Sequence, residues 1–587
     1  MPAAQILRAS GEWRVKFAFR RPVARALTLA AALLVSTSAL AQGVVDNVKG
    51  LALDANGQVV RFTGILVDEQ GKVTELLGER DRRPRRPTWR ADMQGRVLIP
   101  GMVDGHGHVM DLGFRTLSLD LSDTRSLQEA QARIAEYARA NPGRPWIIGG
   151  GWNQEAWGLG RFPTAADLDA IIPNQPVWLQ RADGHAAWAN SAALKAAGVT
   201  AASKSPSGGR IETLPNGQPS GVFIDAAMAL VEGSVPKPTP RDRNSAFLRA
   251  QDMLLEQGIT ATADMGTTLE DWNTYRRMAD LNLLKIRIMS YANSVDTALA
   301  VGGHGPTPWL YWDKLRMGGI KMYLDGALGS RGAWLKAPYA DAPQETGLGF
   351  IPDERLWNLM SRGAMDGFQF AIHAIGDRAN RQAIDAIAQM AETYDGDRRW
   401  RIEHAQIIDT TDLPSFRSFG IIASMQPVHQ TSDREMAEAR LGPNRLGGAY
   451  AWRTLLGQGT RLAFGSDYPV ESANPFVGWA AAFTRTDATG QPVGGWRPQE
   501  ALTREQAWKA FTTDAAYAGF AEKKFGTLAP GMQADFIIVD RDPLAATPEQ
   551  LRQTQVLETW IGGRPMFQRG KAQVDPAARE ATQERGR

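Results

Sequence analysis

The chain is 587 residues long, has no cysteine, and carries 66 Lys and Arg against 63 Asp and Glu. The first 41 residues hold six cations and one anion, which leaves 60 cations and 62 anions in the rest. That balance gives no electrostatic reason to expect nucleic acid or an acidic membrane surface as partner. The length excludes a small stapled domain, and the lack of cysteine excludes disulfides, thiolate nucleophiles and cysteine-held zinc or iron–sulfur centres.

Residues 1–41 read as a cleavable signal peptide. A basic stretch is followed by the apolar run Ala26 to Val35 and then by Ala39-Leu40-Ala41, a small-residue cleavage pattern. The run is shorter than the ~20 apolar residues that cross a bilayer. The expectation is export to the periplasm or beyond of a chain starting at Gln42, with no stable membrane insertion after cleavage.

Residues 42–98 read as short strands separated by turns such as Asp54-Ala55-Asn56-Gly57 and Gln70-Gly71. The arginines at 80, 82, 83, 85 and 86 lie beside Pro84 and Pro87, which prevent a continuous helix or strand, so they are expected in a solvated loop. Near the other end, Ala534 to Asp540 and Val556 to Ile561 are again strand-like, with Gly562-Gly563 as a turn. Between these β-rich ends, eight apolar runs alternate with amphipathic helices: Val97–Val103, Ile259–Met265, Lys285–Tyr291, Gly318–Leu324, Phe368–Ala374, Arg401–Ile407, Gly420–Gln426 and Arg461–Ser466. Helices are expected from Asn244 to Gln257, from Asn380 onward, and after a Thr503 cap. The predicted fold class is α/β, a (β/α)8 TIM-type barrel over 99–514 with a large insertion at about 110–243. The flanking segments 42–98 and 515–575 are the β-rich parts, and 576–587 is an expected disordered tail.

The seven histidines carry most of the functional information. His106 and His108, in Asp104-Gly105-His106-Gly107-His108, come directly after the first expected strand, and alternate residues there can reach a single cation. His373 ends the fifth strand, His404 lies in the sixth, and Asp467 ends the eighth. All fall at the C-terminal face of a barrel, where active sites of this fold are built. Without cysteine, any metal is left to His, carboxylates or a modified side chain.

Together with Ile99-Pro100-Gly101-Met102-Val103, Lys321 to Arg331, Ile372 to Asp377, Glu403-His404-Ala405 and Gly465-Ser466-Asp467, these residues resemble the amidohydrolase superfamily, most closely its amidohydrolase family 3 branch with N-substituted formamide deformylase-like enzymes. The resemblance covers nearly all of the chain after the signal. It implies that the first and last segments combine into a small β-sandwich domain. It also implies two divalent metal ions, with His106, His108 and Asp467 on the more buried one and His373 and His404 on the second. Lys321 matches a bridging carbamylated lysine; the other reading is a buried lysine paired with Asp325 or Asp467. Zinc suits such ligands, while manganese, iron and cobalt stay open.

The chemistry so implied is attack of metal-bound hydroxide on an amide-like carbonyl of a small molecule, with Asp467 as general base and then general acid. A mononuclear deaminase and a non-catalytic ligand-binding barrel are the alternatives. His185, His429 and Arg331 are candidates for substrate contact. His185 has a structural role as its alternative, and Arg331 a salt bridge after the fourth strand. His304 is expected in a loop. Trp152, Trp157, Trp188 and Trp334 could line a pocket, though packing is the commoner fate of tryptophan.

Overall fold

The protein is described here by a computed structural model covering residues 43–571. The expected signal peptide and the 576–587 tail lie outside the described residues. Eight parallel strands form a barrel sheet in chain order: β1 (Met102–Gly107), β2 (Ile259–Thr267), β3 (Arg287–Ala292), β4 (Leu315–Tyr323), β5 (Gln369–Ala374), β6 (Arg401–His404), β7 (Ile422–Met425) and β8 (Leu462–Phe464). Each is almost wholly buried, which is why they read as continuous apolar runs rather than alternating ones. The expected helices form as well. Pro240–Glu256 starts at a Thr239/Asp242 capping box and stops before Gly258, whose φ is +79°. Arg504–Ala510 is capped by Thr503 with Gln506.

One expected strand is corrected. The run Val97–Val103 serves two sheets: Trp89–Pro100 belongs to the β-rich lobe, the chain turns at Gly101, and β1 then extends through Gly107. His106 is therefore inside β1, and His108 caps the helix that follows, Val109–Leu117. An apolar run marks burial but not which layer buries it.

The barrel closes between β1 and the segment after β8, where Asp467 N donates to His106 O at 2.7 Å and His108 N to Tyr468 O at 2.8 Å. A Cβ on Gly105 would lie 2.7 Å from Phe464 O, and one on Gly465 would lie 2.3 Å from His106 N. The two glycines of the motifs thus let the first and last strands approach, and that approach brings His106 to Asp467.

The terminal segments combine into one seven-stranded sheet whose strand order is 564–568, 556–561, 536–539, 89–100, 43–53, 59–67, 73–77. Its two ends curl together: Val73 N bonds Met532 O, Ala534 N bonds Gly71 O, and Gly71 abuts Gly562. Val45, Phe62, Leu98, Phe536 and Trp560 share the enclosed core. Outside it, four of the five clustered arginines are exposed. Arg83 turns inward to Asp46 at 3.1 Å and Thr63 at 2.7 Å.

The insertion builds its own six-stranded mixed sheet from segments between Leu119 and Asp225, which composition alone did not reveal. Along Pro219–Asp225, Val222 and Ile224 enter one core while Phe223 enters the other, as the two-residue strand period requires. Trp152, Trp157 and Trp188 pack together in the first of these cores, with ring centroids 6.1–6.4 Å apart, so their role is packing. Among the described residues no helix is long and apolar enough to cross a membrane.

Candidate metal centre

At the C-terminal ends of the strands, beneath the insertion, lies a cavity of about 1970 Å³. Its wall includes His108, Lys321, His373, His404, His429 and Asp467 from the barrel, with His185 from the insertion. The Asp467 carboxylate is the focus. His108 Nε2 is 3.0 Å and His106 Nε2 3.5 Å from Oδ1, while His429 Nε2 is 3.1 Å from Oδ2. Two groups of convergent ligand atoms share this carboxylate: His106, His108 and Asp467, and His404, His429 and Asp467. His404 and Asp467 hold φ of +71° and +59°, a region unfavourable for residues with a side chain and often retained at functional sites.

Each imidazole is oriented by its other nitrogen or by its neighbours. His106 Nδ1 meets Glu403 Oε2 at 2.6 Å, and His404 Nδ1 meets Gln426 Oε1 at 2.9 Å, so both rings are set by acceptors behind them. Glu403 is in turn gripped by Arg401 at 2.5 and 2.9 Å. Arg401 also donates to Gly105 O and Ser424 Oγ, and all three charged or polar side chains of this relay are fully buried. Asp104 accepts from His106 N, Ser466 N and Ser466 Oγ, tying β1 to the turn before Asp467. Burial raises its carboxyl to about 7 despite these bonds.

The residues suit a cation. Among the described residues Asp467 Oδ1 and His373 Nε2 are buried without a hydrogen-bond partner, although nitrogens crowd the first within 3.5 Å and Asp325 Oδ1 stands 3.5 Å from the second. Burial and the nearby Lys321 lower His106 to about 4, and burial drives His373 and His404 well below the usual imidazole range, so these rings are neutral lone-pair donors. Burial would raise Asp467, yet His106, His108, His429 and His404 around it hold it well below the usual carboxylate range. Nitrogen and carboxylate donors of this kind fit zinc and its neighbours in the transition series.

Lys321 projects from β4 into the same centre. Its Nζ is 3.3 Å from His106 Nε2 and 4.8 Å from the Tyr323 ring, and among the described residues no carboxylate pairs with it. Burial lowers its ammonium to about 8. The expected alternative partner Asp325 is occupied elsewhere, accepting from Trp334 N, Ile375 N and Gly376 N.

The other expected residues separate. His373 meets His404 edge-to-face and His185 at a tilt, at 4.5 and 5.1 Å between ring centroids, and is in neither convergent group. His429, expected on substrate, bonds Asp467 directly and reaches Glu471 Oε1 at 3.4 Å. Arg331 is not on the cavity wall. Its guanidinium holds Asp341 at 2.9 Å, because the loop after β4 turns it away from the barrel axis, so substrate contact is not carried forward for it. His304 is fully exposed in a loop, as its glycine-flanked position suggested. Glu403, Arg401 and Asp104 were not singled out. Their signal was present as charged residues at every second position of buried strands, where only a paired charge is tolerated.

The family model described as amidohydrolase family matches residues 91–567. The chain belongs to the amidohydrolase family. It is 34% identical over 498 residues to protein LONG AFTER FAR-RED 3 of Arabidopsis thaliana, covering 82% of this chain and 84% of that protein. It is 27% identical to N-substituted formamide deformylase of Arthrobacter pascens over 500 residues, 81% and 90% of the two chains. Among solved structures, a metal-dependent hydrolase from Pyrococcus furiosus superposes with a TM-score of 0.66 at 27% identity, covering 86% of this chain and 99% of that one. This amidohydrolase is accordingly a hydrolase of a metal-dependent family, with candidate His and Asp ligands in place.

Proposed function

We propose that this protein is an exported amidohydrolase that cleaves a non-peptide carbon–nitrogen bond in a small amide-like substrate. The observation that carries the reading is the convergence of His106, His108 and Asp467 on one point of the cavity, with Lys321, His373 and His404 beside it. The similarity to a formamide deformylase supports the bond type.

His106, His108 and Asp467 would hold one divalent cation, and His373 and His404 a second. Zinc is the first choice for this set, and when bound such ions polarise a carbonyl and make water a nucleophile at neutral pH. Lys321 would bridge them as a carbamate. Its amine nitrogen bonds the carbon of carbon dioxide and releases a proton, which converts a side chain that cannot ligate into an anionic oxygen donor. The amine's lowered affinity for its proton and the lack of an ion-pair partner among the described residues both favour that reaction. Asp467 takes the proton of the attacking water through the carboxylate that His429 keeps oriented, and returns it to the leaving nitrogen as the bond breaks.

Metal analysis tests the centre. The purified protein should hold two equivalents of metal per chain, and Lys321→Ala should hold about one or fewer, with partial rescue of activity by short-chain acids that mimic the carbamate. Two tightly held equivalents in Lys321→Ala would remove the bridging role. Export is tested by sequencing the protein from the cell envelope, which should begin at Gln42; recovery of the intact chain from the cytoplasm would overturn it.

A further inference from the structure

His185 comes to the barrel on a loop of the insertion and stands at the edge of the metal centre, 5.1 Å from the His373 ring. Asp225 is the residue that places it. The Nδ1 of His185 lies 2.6 Å from Asp225 Oδ1, and Asp225 N donates to the His185 carbonyl at 3.0 Å, so side chain and backbone are both clamped. Among the described residues Nε2 has no protein partner, and the ring lies on the cavity wall.

Asp225 is held there under unusual conditions. It ends the strand Pro219–Asp225 with φ +50° and ψ −124°, a conformation ordinarily left to glycine. Its Oδ2 is buried and accepts no hydrogen bond. That oxygen fills the space over two glycines of the loop after β4: a Cβ on Gly326 would lie 2.5 Å from it, and one on Gly332 2.8 Å. Gly326 and Gly332, in the segment Asp325-Gly326-Ala327-Leu328-Gly329-Ser330-Arg331-Gly332, therefore have a use that the metal centre does not explain. They admit a carboxylate from the insertion. Strained backbone, an unsatisfied buried oxygen and a glycine cradle on another element are costs with no packing benefit of their own, and they coincide on the residue that orients the ring facing the cavity.

We propose that Asp225 is a positioning residue for the hydrolytic reaction: it fixes His185 as the Nδ1–H tautomer and presents the Nε2 lone pair to an N–H or O–H donor of bound substrate. The insertion thus supplies part of the active site rather than only a roof over it. This rests on the hydrolase reading above, so the test has one arm that does not depend on turnover.

With seven histidines in the chain, nitrogen-15 histidine labelling of the zinc-loaded protein can resolve the ring nitrogens of His185, assigned by loss in His185→Ala. The informative variant is Asp225→Gly, because glycine accepts the φ and ψ at this position and removes only the carboxylate. The expected result is a protonated Nδ1 and bare Nε2 in the parent and in Asp225→Asn, which keeps an acceptor oxygen, and averaging between tautomers in Asp225→Gly. On an amide that the parent hydrolyses, Asp225→Gly should lose about a hundredfold in kcat/KM with full metal content and an undiminished melting temperature. The Asp225→Gly/His185→Ala double variant should be no slower than His185→Ala alone. Unchanged His185 nitrogen shifts in Asp225→Gly, or losses that multiply in the double variant, would overturn the proposal. If the parent shows the fixed tautomer but hydrolyses no member of a broad amide panel, the hydrolase reading fails while the positioning of His185 stands.

Discussion

Asp467→Asn is expected to fold normally, retain most of its metal and lose turnover by at least about a thousandfold, in line with removal of a general acid–base group. The carboxylate lies at the meeting point of four imidazoles, with His108 and His106 against Oδ1 and His429 and, at 4.0 Å, His404 against Oδ2. Asparagine preserves the shape and one ligating oxygen, so the packing around the site, including the Asp467 N to His106 O bond that closes the barrel, is untouched. It cannot take a proton from water at neutral pH or return one to a leaving nitrogen. The measurement is kcat at saturating substrate alongside metal content. A near-normal kcat in a metal-replete Asp467→Asn protein would transfer the proton-moving role to another group, with His429, 3.1 Å from the carboxylate, the candidate. A comparable loss of metal would instead show that the carboxylate acts chiefly as a ligand.

Glu403→Gln is the second large effect, and it separates stability from chemistry. Glu403 does not itself line the cavity, yet it lies between the Arg401 guanidinium and His106 Nδ1 with all three side chains fully buried. Burial alone would raise its carboxyl, but Arg401 and His106 hold it below the usual range. Loss of the negative charge leaves Arg401 uncompensated in the barrel interior, at a cost of about 3–5 kcal/mol. It also removes the anionic acceptor that fixes the His106 tautomer, which for such partners typically weakens metal binding about 10- to 100-fold. Both changes are read without substrate, from thermal unfolding of the metal-free protein and from competition for zinc with a chelator. A variant with parental melting temperature and zinc affinity would show that the relay is dispensable.

The barrel was legible because parallel strands buried on both faces leave long apolar runs, and because the helices between them carry clear caps at Thr239 and Thr503. The hand-over at Gly101 was not, since an apolar residue on either side of it looks the same in either sheet. The candidate site could be read from its positions: His106, His373, His404 and Asp467 all fall at or just beyond the C-terminal ends of barrel strands, which few purely structural roles would select. What escaped was the layer behind them. The spacing of Arg401 and Glu403 is visible in the chain, but that Glu403 serves a histidine nearly three hundred residues earlier depends on barrel closure at Gly105 and Gly465. His185 was legible as a candidate and Asp225 was not, because their pairing depends on the antiparallel match of 186–189 with 219–225 inside the insertion's mixed sheet. Arg331 shows the converse, a charged residue next to a site motif whose loop turns it to Asp341.

The seven-stranded sheet has a consequence for how the chain is made. Strand 89–100 is flanked on one side by 43–53 and on the other by 536–539, so one of its edges waits for a partner encoded more than four hundred residues later. The same late segment supplies Asp535, which holds the buried Arg287 at 2.5 and 2.9 Å. Until residues 535–539 have been made, this edge has no partner and that arginine no counter-charge, whatever the barrel has done by then. The segment 535–568 acts as the latch: the lobe that opens the described chain closes only after the whole barrel has been synthesised.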